Sequence, residues 1–218
     1  MFTLHVNKIV KQRRQVVPEL AQTEKLIKDT AKGIFFQKGH LSATTQEIAD
    51  AAGVNRALIH YYFRSREHLL EVVFQEAVAE SRRQAAEIFR SSDPFKKKIS
   101  KYLDVFIDRN VDYPYIQNFI IREITKNPEK EKEYFQQKRE NLTKTILPQL
   151  TEEIEKGNIA PIKLEHFMTN MMSMCSYPLV AKPLLQKMFG FDEKAYRNFL
   201  KERKAIIYKV LFNEEPED

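Results

Sequence analysis

Apolar positions recur along this chain with the period of helices. From Thr23 to Gly39, Ile27, Ala31, Ile34 and Phe35 fall at i, i+4, i+7 and i+8, one face of a helix, and Gly39 suits a left-handed stop. A shorter unit follows. Thr44 and Glu47 make the S/T-x-x-E pattern of a capping box and open a second helix. Its buried side is expected from Ile48, Ala51 and Ala52, with Ala49 small enough for another helix to come close. Gly53 stands where a tight turn demands positive φ, Val54 plugs the turn, and Asn55 caps a third helix from Arg56 to about Tyr62. Leu58, Ile59 and Tyr62 share one side of that helix. Arg56, His60 and Arg64, spaced by four, share the other, flanked by Ala57 and Tyr61. A helix this short is unstable alone, so it packs on the two before it and leaves a basic face for a partner.

The rest continues as helices punctuated by Pro and Gly. Ser65 caps a long helix reaching about Arg90. Asp93 as cap, with Pro94 at the first helical position, opens one over roughly 94–110. Pro114 opens the next, to about Lys126, and Asn127-Pro128 another, to about Lys156, which Pro148 is expected to bend. Gly157 ends it, and GNIAPI reads as a loop. The eighth helix, roughly 163–189, holds Pro178 and Pro183 and should be kinked or broken there. Gly190 stops it and Asp192 caps the ninth, which runs to about Phe212. The acidic tail NEEPED should be disordered. The fold class is therefore all-α, with about nine helices. A basic extension (1–22) precedes a three-helix domain (23–69), a larger helical domain (70–213) and the tail (214–218).

Charge sharpens this division. The first 70 residues hold 11 Lys+Arg against 6 Asp+Glu, a surplus of +5, whereas the remaining 148 hold 25 against 24. The basic surplus lies with the short helices, as expected where a protein meets phosphates. Two helices at a fixed turn are also how one helix is laid in the major groove of DNA. The single cysteine, Cys175, excludes an intramolecular disulfide and a cysteine zinc cluster. His40, His60, His68 and His166 lack metal-site spacing. No cofactor is expected. The start of the chain shows no signal-peptide pattern, and the longest uncharged run, Phe167 to Ala181, is 15 residues, short of a spanning helix. A cytoplasmic protein with no membrane partner is expected.

In the larger domain, FMTNMMSMCSYP (Phe167 to Pro178) is soft and adaptable. Phe167, Met171, Met174 and Cys175 there, with Tyr102, Phe106, Tyr115, Phe119 and Arg122, are candidates to line a pocket for a small apolar effector. Core packing or a subunit contact accounts for the same residues. The ninth helix carries Phe199, Ala205, Ile206, Tyr208, Val210 and Leu211, more apolar surface than a peripheral helix needs, and with the eighth is the candidate homodimer interface. Lys96-Lys97-Lys98 reads as a solvated first turn. Glu129, Glu131 and Glu133 read as a charged helix start, not a metal-assisted active site, so no enzyme is expected.

From Thr23 to Leu70 the chain resembles the DNA-binding domain of the TetR/AcrR family of transcriptional regulators. The resemblance rests on Ile27, Ala31, Ile34-Phe35 and Gly39, then Thr44-Thr45, Ile48-Ala49 and Ala52-Gly53-Val54, then His60-Tyr61-Tyr62-Phe63, and Ser65-Arg66-Glu67 with Leu69-Leu70. It implies a homodimer that binds a palindromic operator in double-stranded DNA and is released by an effector. It implies DNA-facing roles for Thr44, Thr45, Asn55, Arg56, Ala57, His60, Tyr61 and Arg66. Thr44 and Thr45 match helix-capping, phosphate-touching positions. Arg56 and Ala57 match positions facing base edges, an Arg there suiting guanine and an Ala a thymine methyl. His60 replaces a frequent tyrosine, so that backbone contact falls to His60 or to Tyr61. Arg66 stands where a phosphate-facing Lys is usual. Arg13 and Arg14 lie in a longer lead than the family's, either a minor-groove arm or a solvated tail. Two other readings stay open: an interaction protein without DNA affinity, and a nucleic-acid enzyme with an appended DNA reader.

Overall fold

A computed structural model describes residues 21–126 and 128–216, without the side chains of 124–131, 133, 134 and 137. Arg13, Arg14 and most of the basic extension lie outside the described residues, as do Asn127 and the last two residues of the tail. The described chain is helical with no strand. It forms two compact units, one through Val78 and the other from Ala79. The division falls inside a continuous helix, Arg66–Arg90.

In the first unit, α1 (21–37) ends in a π-helical turn over Gly33–Gln37, closed by the Lys38 amide donating to the Gly33 carbonyl at 3.1 Å. Ile34, Phe35 and Phe36 are three consecutive buried residues, more than a regular helix can turn inward together, and the wider turn accommodates them. Helix α2 (Thr45–Ala52), α3 (Arg56–Phe63) and the start of α4 (Arg66–Arg90) complete the unit. Its core gathers Ile27, Ala31, Phe35, Ile48, Ala49, Ile59 and Leu69, none with any exposure. Ala49 is the alanine that α2 buries, while Ala51, expected inside, is exposed and Ala52 only half-buried.

In the second unit, α5 (Phe95–Asp112), α9 (Leu164–Val180) and α11 (Glu193–Phe212) share one core. Ile99, Leu103 and Ile107 of α5 meet Phe167, Met171 and Cys175 of α9 and Tyr196, Leu200 and Ile207 of α11. Between them lie α6 (Ile116–Lys126), α7 (Pro128–Asn141), α8 (Leu147–Glu155) and α10 (Lys182–Phe189). Pro148 does not interrupt a single helix: a π turn over Leu142–Ile146 precedes it, and it sits in the first turn of α8, where its missing N–H costs little. Pro178, in contrast, lies inside α9. Having no N–H, it leaves the Met174 carbonyl without its helical donor, and the Arg203 guanidinium from α11 supplies two, at 3.2 and 3.3 Å. The Tyr196 hydroxyl donates to the Pro178 carbonyl. The helix ends three residues later, at Ala181, and Pro183 occupies the first turn of α10.

Three expectations change. The lysine run opening α5 is not simply solvated. Lys98 is buried with its Nζ donating to Gln149 Oε1 at 2.7 Å, and Lys96 pairs with Glu214 at 2.9 Å over the Phe212 ring. The same pair ties down the described part of the acidic tail, helped by Tyr208 donating to Glu214 and Lys209 pairing with Glu215. Asp93 is not the helix cap either. Its carboxylate takes Lys101 and the Ser91 hydroxyl, which hold its pKa below the usual range, and Pro94 occupies the cap.

Candidate nucleic-acid interface

The turn between α2 and α3 is built as the sequence indicates. Thr44 is extended, its hydroxyl accepts from the Glu47 amide at 3.2 Å, and its own amide donates to Glu47 Oε2 at 2.7 Å. The Thr44 amide and hydroxyl also hold the Glu47 carboxyl below its ordinary pKa. Gly53 has φ 66°, and the Val54 amide reaches back to the Ala49 carbonyl at 3.0 Å, so the chain leaves α2 through a left-handed residue. Asn55 Oδ1 then accepts from the Ala57 amide at 2.8 Å and starts α3. One end of the turn is fixed by the glycine backbone and the other by the Asn55 side chain.

With Ile59 and Phe63 buried and Leu58 and Tyr62 half-buried, α3 presents Asn55, Arg56, Ala57, His60 and Tyr61 to solvent. Arg56 is steered as well as exposed: its Nε donates to Thr45 Oγ1 at 3.1 Å, across the turn. That bond engages Nε and limits the rotamers the side chain would lose on contact. Tyr61 is 61% exposed and meets the Tyr62 ring edge-on at 5.0 Å, a contact that supports the exposed ring. The Arg56–Thr45 bond thus joins the start of α3 to the start of α2, with Thr45 half-buried and Thr44, Asn55, Ala57, His60 and Tyr61 each exposed.

Arg66 is held differently. Its Nε donates to the Ala43 carbonyl at 2.6 Å, a terminal nitrogen donates to the Leu41 carbonyl, and the guanidinium lies 5.8 Å from the Phe35 ring centre. Glu67 adds an ion pair at 3.2 Å. Arg66 therefore fastens the 40–44 loop, which carries the Thr44 cap, to the start of α4. The sequence pointed to the position but not to this inward use, because one letter does not say which way a guanidinium turns.

In the second unit the pocket candidates separate. Phe167, Met171 and Cys175 are core, and burial pushes the Cys175 thiol up to about 12. Phe119 is also buried, Met174 half-buried and Arg122 exposed. Tyr102 and Phe106 are half-buried neighbours at 6.0 Å, with the Tyr102 hydroxyl 3.7 Å from Met172 Sδ. Tyr115 faces elsewhere, covering the buried Lys182 Nζ, which lies 5.3 Å from both the Tyr115 and Tyr196 rings and pairs with Glu193 at 2.9 Å. Among the described residues no group of three or more His, Cys, Asp or Glu could hold a metal, and no helix is long and apolar enough to cross a membrane.

Residues 27–73 match the sequence profile of a family described as bacterial regulatory proteins, tetR family. Over 81 residues the chain is 31% identical to the HTH-type transcriptional regulator BetI of Rhizobium meliloti (strain 1021), a stretch covering 37% of this chain and 40% of that protein. The chain thus spans well under half the length of that curated relative. In three dimensions it is similar to HlyIIR, a hemolysin II transcriptional regulator, with TM-score 0.57 and 25% identity over 89% of this chain and 99% of that one. PfmR of Thermus thermophilus, a TetR family transcriptional regulator, shares the fold at TM-score 0.61 and 15% identity, over 88% and 97% of the two chains.

Proposed function

We propose that the chain, whose residues 27–73 match the tetR family of bacterial regulatory proteins, is a homodimeric transcriptional repressor of that family reading a palindromic operator with α3. The observation that carries this is the reading face itself: a capped, eight-residue helix whose exposed residues are Arg56, Ala57, His60 and Tyr61, with Arg56 steered by Thr45. Residues near the start of a recognition helix meet base edges. There Arg56 suits guanine, Ala57 a thymine methyl, and Thr44, Thr45 and Asn55 adjoining phosphates.

Dimerisation through α9, α10 and α11 is supported by the apolar side chains these helices expose. Tyr177 and Val180, Leu184 and Met188, and Ile206 and Val210 are each at least 42% exposed. A monomer seldom leaves that many large apolar groups in water on neighbouring helices. A two-fold dimer sets two copies of α3 about 34–36 Å apart, or a multiple of that. An apolar effector bound beside Tyr102 and Phe106 would act through α4, which begins at Arg66 beside the reading helix and continues to Arg90. Binding that favours a different spacing of the two heads weakens the operator complex, typically by about 1–3 kcal/mol.

The test is Arg56→Ala in a binding assay with DNA flanking the chain's own gene. Affinity for the preferred duplex should fall by about 1–3 kcal/mol, with discrimination relaxed at one base pair per half-site. Unchanged affinity and specificity would refute the reading face. Cleavage of the duplex would favour an enzyme.

A further inference from the structure

We propose that Arg64, at the end of α3, is a DNA-phosphate contact held outward by a strained turn, a role that rests on α3 entering the groove. Arg64 has φ 65° and ψ −45°, and the Ser65 amide donates to the Phe63 carbonyl at 2.6 Å. This is a γ-turn of positive φ around a residue with a long side chain, a conformation that L residues avoid. Of the two non-glycine residues with positive φ among those described, Asn213 has a side chain that tolerates it; Arg64 does not. Such strain persists where the surroundings enforce it, and it concentrates at functional positions.

The surroundings that enforce it lie on both sides. Before the turn, Phe63 is buried and fixes the end of α3. After it, the Ser65 side chain caps α4 by accepting from the His68 amide at 3.0 Å, and Arg66 is drawn inward to the carbonyls of Leu41 and Ala43. One residue must absorb the change of direction between two anchored helices, and that residue is Arg64. Its side chain is exposed, and its guanidinium has no hydrogen-bond or ion-pair partner among the described residues. Of the two arginines flanking Ser65, Arg66 is committed to the protein and Arg64 is available.

The reach fits. An eight-residue helix is roughly 12 Å long, close to the major-groove width of about 12 Å. With Arg56 over the bases, the far end of α3 arrives at the groove wall, where phosphates lie. A cation there also favours the C-terminal end of the helix dipole, so charge and position agree. Glycine would adopt this φ freely, so an arginine here sacrifices backbone comfort for a charge at a defined place.

The experiment uses the full chain and two labelled duplexes, one from the region flanking its own gene and one scrambled, titrated over a range of salt. A phosphate contact is sequence-independent, so both duplexes report it. Arg64→Ala should weaken both about equally and lower the slope of log K against log salt by about 0.9 per half-site. Arg64→Lys should keep the slope. Arg64→Gly should lose the same affinity yet melt at a higher temperature than Arg64→Ala, because only glycine relieves the turn. Arg56→Ala serves as the contrast, losing mainly the preferred duplex. If Arg64→Ala and Arg64→Gly keep wild-type affinity and slope while Arg56→Ala weakens binding, the assignment of Arg64 is overturned alone. If Arg64→Lys falls as far as Arg64→Ala, the effect is not a charge on phosphate and the assignment is overturned. If the wild-type chain binds neither duplex, the DNA-binding reading fails with it.

Discussion

Removing the Arg66 guanidinium should unfasten the loop that carries the α2 cap. Arg66→Ala leaves the Ala43 carbonyl without its donor, on a residue with no solvent exposure. An acceptor abandoned in the interior costs about 1–3 kcal/mol. The Leu41 carbonyl belongs to a half-buried residue and regains water, so its loss is smaller. The contact with the Phe35 ring is worth about 0.5–1 kcal/mol. The Glu67 pair adds little, since that carboxylate's side chain is 76% exposed and such pairs are worth about 0–1 kcal/mol. Together the loss is about 2–4 kcal/mol, allowing for overlap between terms. At about 1.4 kcal/mol per factor of ten, opening of the loop becomes roughly thirty- to several-hundred-fold easier. Hydrogen exchange read on peptides covering 41–52 should show that acceleration, because the Ile48 amide bonds to the Thr44 carbonyl and the Glu47 amide to the Thr44 hydroxyl. Glu67→Ala is the control and should change exchange by less than about threefold. If Arg66→Ala leaves exchange in that window within threefold of wild type and leaves the melting curve in place, the guanidinium is not the fastening.

Three further outcomes follow from the same physics. Glu47 has its pKa lowered by the Thr44 amide and hydroxyl, so its stabilisation is complete above the ordinary carboxylate value and is lost as pH falls through the lower folded one. Acid melts should therefore destabilise wild type more steeply than Glu47→Gln; parallel curves would contradict the capping box. Cys175, with no exposure and its thiol raised to about 12 by burial, should resist maleimide at pH 8 in the folded chain and react fully in denaturant. Rapid native labelling would show that α9 opens readily. Val210→Glu, at a position 65% exposed on α11, should convert a dimer to a monomer by light scattering while melting normally; an unchanged mass would move the interface elsewhere.

The first unit was legible because its determinants are local. Thr44 and Glu47 are three residues apart, Gly53 needs only its own φ, and Asn55 caps two residues ahead, so sequence neighbours decide the geometry. The second unit is joined by partners far apart in the chain. Lys98 meets Gln149, Lys182 meets Tyr115, and Arg203 serves the carbonyl that Pro178 strands. None of these shows in periodicity, which is why a lysine run read as solvated contains a buried donor. The Met- and aromatic-rich run was ambiguous for a related reason. Apolar side chains that fill a core and those that receive a ligand are the same residue types. In the structure Phe167, Met171 and Cys175 are buried in the core, and Tyr102 and Phe106 are half-buried against the same cluster.

Three arginines between Arg56 and Arg66 show where sequence reasoning stops and geometry takes over. Arg56, Arg64 and Arg66 are the same residue within eleven positions, and a charge count treats them alike. The structure gives each a different constraint. Arg56 is tethered across the turn by Thr45, Arg64 is held by a backbone no arginine would choose, and Arg66 is spent on two loop carbonyls. These constraints make different demands on a substituting lysine. A single ammonium cannot fork to both loop carbonyls, so Arg66→Lys should recover only part of the lost protection, and a lysine at 56 loses the planar fork that matches guanine. At 64 only the charge is needed, and lysine should serve. Lysine substitution at the three positions therefore distinguishes specificity, fastening and electrostatic anchoring within one helix-turn-helix, a distinction that alanine substitution alone would blur.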